Sequence, residues 1–124
     1  MQSPNQPAHP KRPTRVETFD VDDAAALVRS VIPARGEPYE HRCPPAAFEA
    51  VALAIDGFTG RFTLADIHTA AGVTWTQAAV AFAFLKERGV VTPIRGRHHI
   101  PASATAFEDA IVEYLALRYL QHGR

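Results

Sequence analysis

The chain has 124 residues, 47% of them apolar, which leaves room for one hydrophobic core. Thirteen basic and thirteen acidic side chains cancel, which argues against a broad positive field for non-specific nucleic-acid binding. A single cysteine, Cys43, excludes an intramolecular disulfide, and the longest apolar run, Ala78 to Leu85, is too short to cross a bilayer.

No hydrophobic leader follows Met1, so a cytoplasmic protein without membrane attachment is expected. Residues 1–15 hold Pro4, Pro7, Pro10 and Pro13 among polar and basic side chains, the composition of a disordered arm. Lys11, Arg12 and Arg15 in that arm can track a phosphate backbone, although a solvated tail is the simpler reading. Residues 16–44 are expected to form a short helix and a loop. Asp20 would cap the helix, Leu27, Val28, Val31 and Ile32 would share one face, and Pro33 would close it. Within the following loop, His41-Arg42-Cys43 is the nearest approach to a metal site, and no further ligand completes it.

Pro45, with its φ already set, is expected to start a helix that buries Phe48, Val51, Ala52 and Ile55 and stops at Asp56-Gly57. Arg61-Phe62-Thr63 would be a short strand. Two capped helices should follow. Thr63 and Asp66 can form the first capping box, with Leu64, Ile67, His68 and Ala71 on one face. Gly72 then supplies the left-handed turn between helices, and Thr74 with Gln77 opens the second helix. At about 100° per residue, Ala78, Ala81, Phe82 and Leu85 form its core face. Thr76, Val80, Ala83 and Glu87 lie opposite, with Phe84 at the edge. His68 is expected to be a hydrogen-bonded core histidine rather than a functional one.

The segment Thr63–Leu85 resembles the helix-turn-helix of bacterial repressors of the lactose-repressor type, in its Thr-Leu-x-Asp-Ile start, its Ala-Gly-Val-Thr turn and the aromatic that follows. The stretch Leu85 to Val91 and then Thr92 to Ile100 looks like the helix end and β-hairpin wing of winged-helix regulators, so the resemblance extends over Pro45–Pro101. It implies an α+β, mostly helical, winged helix-turn-helix fold over residues 45–101, with an extra N-terminal helix and a long C-terminal helix over 102–124. It further implies a small DNA-binding transcriptional regulator whose second helix enters the major groove while the wing touches the backbone or minor groove. On that reading Thr74, Trp75, Thr76 and Gln77 meet the groove, and Arg95, Arg97 and His98 meet the backbone.

The residues leave a rival open. An exposed Val80 and Phe84 would suit a winged-helix module that contacts another protein and does not bind DNA, because base edges are read by Arg, Lys, Asn and Gln. The last helix is expected to start with a Thr105–Glu108 capping box and to run to about Gln121. It has two apolar stripes. Phe107, Ile111, Tyr114 and Leu115 make one, and Val112, Ala116, Tyr119 and Leu120 the other. Either a second copy covers the latter, giving a homodimer, or the Asp20–Ile32 helix covers it within one chain. Catalysis is not expected, since no nucleophile elbow, phosphate loop or carboxylate pair is present. No cofactor or metal is implied.

Overall fold

The structure, a computed structural model, describes residues 14–122. The proline-rich arm expected over residues 1–15 therefore lies outside the described residues except for Thr14 and Arg15. The chain is α+β. Three strands, β1 (Val16–Val21), β2 (Leu27–Ile32) and β3 (Tyr39–Cys43), precede three helices, α1 (Pro45–Asp56), α2 (Leu64–Ala71) and α3 (Trp75–Glu87). The hairpin β4 (Val91–Arg95) and β5 (His98–Pro101) follows, and α4 (Ala106–His122) ends the described chain.

The N-terminal region corrects the expected helix. Residues 16–43 form an antiparallel sheet in the order β1-β2-β3, with Val21 opposite Leu27 and Leu27 opposite Cys43. Those three side chains are buried and make the apolar end of the sheet's inner face. Branched residues at Val16, Thr18, Val28, Val31 and Ile32 fit a pleated surface better than a helix. Asp20 caps no helix. The turn is organised by Asp22, whose carboxylate accepts from the amides of Ala24 and Ala26 (both 2.9 Å) while Ala25 takes a positive φ of 66°.

The helices follow their caps. Thr63 and Asp66 exchange both capping hydrogen bonds (3.2 and 2.8 Å), and Thr74 and Gln77 do the same (both 3.1 Å). Between them Gly72 sits in the left-handed region at φ 68°, where a Cβ would be strained. Phe48, Val51, Ala52 and Ile55 of α1 are buried as expected. The short strand expected at Arg61–Thr63 is one bridge, in which Phe62 and His99 exchange backbone hydrogen bonds of 2.8 Å and tie the hairpin to the start of α2.

The second correction concerns α3. Ala78, Ala81, Phe82 and Leu85 are buried, but so are Val80, Ala83 and Phe84 on the side expected to face outward. The unexpected sheet is the cause. Phe84 is fully enclosed, with Phe19 of β1 edge-on at 5.4 Å, Phe48 of α1 at 6.0 Å and the Arg88 guanidinium over its ring at 5.1 Å.

On α4 the buried face is Ala106, Ala110, Tyr114 and Leu117; of the stripe expected to be buried, Tyr114 is buried, Phe107 and Ile111 are half-buried and Leu115 is exposed. The helix is anchored from far away in sequence: Asp56 accepts from the Phe107 amide (3.1 Å), and the Tyr114 hydroxyl donates to the Ala25 carbonyl (2.6 Å). Thr105, expected to pair with Glu108, hydrogen-bonds Asp109 (3.2 Å). Val112, Ala116, Tyr119 and Leu120 remain exposed, and Leu27, Val28 and Val31 of the helix expected as their cover within one chain are strand residues. Among the described residues, no helix is long and apolar enough to cross a membrane.

Candidate functional site

Burial of three sides of α3 leaves one narrow arc open. Trp75, Thr76, Ala79, Lys86 and Glu87 fall within about 120° on the helical wheel, and all are exposed or half-buried; the small Ala83 between them is buried. Trp75, 52% exposed, stands at the helix start with its indole edge-on to the His68 ring at 5.3 Å. His68 is half-buried, and its Nδ1 is buried with no hydrogen-bond partner among the described residues, contrary to the satisfied core histidine expected. The ring contact makes His68 a support for Trp75.

The four residues at this helix start have different duties. The Thr74 hydroxyl accepts from the Gln77 amide, and the Gln77 side-chain carbonyl accepts from the Thr74 amide. Both groups are occupied in holding the first turn. Trp75 and Thr76 are the pair that faces outward.

Grooves border the arc on both sides. On the first side, Thr63, Leu64 and Ala65 of the α2 start, Trp75, Phe82 and Lys86 of α3, and Gly96, Arg97 and His99 of the hairpin line a groove of about 490 Å³. The Lys86 ammonium lies over the Phe82 ring at 5.0 Å, and His99 meets the same ring edge-on at 4.7 Å. Burial pushes the His99 imidazole below its usual pKa; the Arg97 carbonyl on its Nδ1 opposes the shift, and the charges of Lys86 and His98 add to it. The shift favours the neutral form of the ring.

Arg95 and Arg97 are both exposed, on either side of the turn at Gly96, and no carboxylate pairs with either among the described residues. His98 is half-buried and sits across from Arg95 in the hairpin register. The hairpin thus brings Arg97 to the α3 arc and carries Arg95 beside it.

The second groove, of about 550 Å³, was not foreseen. Arg15, Glu17 and Arg29 of the N-terminal sheet face Ala83, Lys86 and Glu87 of α3 across it. Glu17 pairs with Arg29 and lies 3.8 Å from Arg15. The alternation in Val16-Glu-Thr-Phe-Asp-Val21 is the only local signal that could have placed Glu17 and Phe19 on one face of a strand.

The residues expected to contact protein divide. Val80 and Phe84 are fully buried, so the surface proposed for them does not exist, whereas Val112, Ala116, Tyr119 and Leu120 form an open strip on α4. Cys43 is buried, and desolvation pushes its thiol up to about 12. Among the described residues, no group of three or more His, Cys, Asp or Glu side chains is arranged to hold a metal ion. The chain has no match to a protein-family model, a curated protein or a solved structure.

Proposed function

We propose that this chain is a small winged-helix DNA-binding protein, a transcriptional regulator acting in the cytoplasm on double-stranded DNA. The observation that favours it is the open arc of α3, which starts with an exposed Trp75 and Thr76 and is bordered by the unpaired Arg97. The order α1, α2, α3, hairpin, with the hairpin bridged back to Phe62, is the connectivity a winged helix uses. Trp75 and Thr76 enter the major groove, Thr74 and Gln77 hold the helix start in shape, and Arg95 and Arg97 take phosphates with His98 beside them.

The rival, a module that binds protein and not DNA, loses its premise with Val80 and Phe84 in the core. Its remaining support is the α4 strip, where Val112, Tyr119 and Leu120 are 61%, 68% and 62% exposed. A second copy of the chain seated there would also set two α3 helices at a fixed spacing, as a palindromic site requires.

Fluorescence anisotropy with a labelled duplex tests the reading. Arg95→Ala with Arg97→Ala is expected to weaken binding to every sequence and to reduce the slope of log affinity against log salt by about two. A wild-type chain that leaves the duplex unbound at low salt overturns it.

A further inference from the structure

The groove on the N-terminal side of α3 has a charge pattern of its own. Three cations, Arg15, Arg29 and Lys86, meet two carboxylates there. One carboxylate is shared: Glu17 holds Arg29, whose side chain is only 16% exposed, and reaches Arg15, which stays 51% exposed. The other, Glu87, lies 3.4 Å from the Arg88 guanidinium. Lys86 has no carboxylate partner among the described residues. Arg29 therefore anchors Glu17, Glu17 steadies Arg15, and the two open cations at the rim are Arg15 and Lys86.

The position of this rim matters as much as its charge. On the helical wheel, Ala83 and Glu87, which line it, lie on one side of Lys86, and Phe82 and Trp75, which line the hairpin groove, lie on the other. The sheet and the hairpin are thus two walls with one helix between them. A helix with its side chains is about 10–12 Å across, and the major groove of duplex DNA is about 12 Å wide. A helix of that width fits such a groove, and a wall on each side of it then faces one of the two phosphate strands that border the groove. Ala79 and Ala83 on the intervening arc add little bulk that would hold a duplex away.

From this geometry, we infer that Arg15, steadied by Glu17 and Arg29, and the unpaired Lys86 beside it form a second phosphate contact, so that the protein grips duplex DNA on both strands bordering one major groove. The inference rests on the DNA-binding reading above. It adds a wall that no helix-turn-helix pattern contains and assigns the N-terminal sheet a contact role besides covering α3.

The test uses the full chain and a labelled random-sequence duplex in anisotropy titrations across a salt series, with circular dichroism melts to verify folding. Arg15→Ala with Lys86→Ala is expected to lower affinity by on the order of tenfold at 0.1 M salt and to reduce the salt slope by about two, while Arg95→Ala with Arg97→Ala produces its own, separate reduction. Glu87→Gln removes a negative charge from the rim without touching the Glu17 pairs that hold Arg15 and Arg29, and is expected to tighten binding, a gain that a misfolded variant would not give. Wild-type slope and affinity in the Arg15/Lys86 variant, or unchanged or weaker binding by Glu87→Gln, overturns the second contact, and the DNA reading survives if the hairpin variant still loses affinity. Absence of duplex binding by the wild-type chain overturns both.

Discussion

Helices α3 and α4 pose the same problem of composition, and the fold resolves it differently in each. Both carry apolar residues on more than one face, so neither can be satisfied by a single packed side. Around the apolar faces of α3 the chain supplies every cover: α1 and α2, the hairpin beside Phe82, and the N-terminal sheet over Phe84. Around α4 it covers one face, with α1 and the N-terminal sheet, and the strip from Val112 to Leu120 stays open. An apolar outer face therefore has no fixed meaning. On α3 it marks where another part of the same chain lands, and on α4 it marks a surface that the described chain leaves free.

That contrast can be broken most sharply at Phe84. Replacing it with Ala leaves a cavity between Phe19 and Phe48 and is expected to cost about 3–5 kcal/mol in urea unfolding. A change near zero would mean that the sheet does not close over α3. The next effect is set by pH, at the rim of the same helix. His99 packs on Phe82 with its pKa below the usual 6.5, so the unfolded chain binds more protons there than the folded one. Its contribution to stability is complete above about pH 6.5 and is lost as pH falls through the lowered folded value. Thermal melts should decline over that range in the wild-type chain, and His99→Gln should flatten the decline. A variant that keeps the full pH dependence would assign it to other groups.

The smallest effect on folding is expected on α4. Leu120→Asp lies on the open strip, so the monomer should lose no more than about 0.5 kcal/mol. In sedimentation the same change should abolish any self-association through this strip, since it would bury an unpaired carboxylate. A large loss of monomer stability would show that α4 is covered after all, and the comparison with α3 would collapse.

What could be read in advance follows the range of the interactions. The boxes at Thr63–Asp66 and Thr74–Gln77, the glycine between them and the buried face of α1 depend on residues within a few positions of one another, and each formed as expected. The N-terminal sheet was missed because Leu27, Val28, Val31 and Ile32 satisfy a helical spacing as well as a strand pattern, and only pairing with Val16–Val21 and Tyr39–Cys43 decides between them. Two further misses descend from that one. With no sheet in view, Val80 and Phe84 look like an outer face, and Arg15, Glu17 and Arg29 have no relation to Lys86. At the start of α4 the anchor is Asp56, 51 residues away, which no local capping pattern contains. Of the candidate contact residues, Trp75, Thr76, Arg95 and Arg97 were legible because a helix start and a hairpin turn expose them by local geometry alone.

Trp75 offers the most direct test of the central claim, that the open arc of α3 is a DNA-contact surface. It is the only tryptophan in the chain, so its emission reports on the start of α3 without labelling. Titration of the full-length protein with duplex DNA at low salt is expected to quench that emission saturably, and added salt should restore it as the phosphate contacts are lost. Emission that stays unchanged throughout the titration would contradict the account.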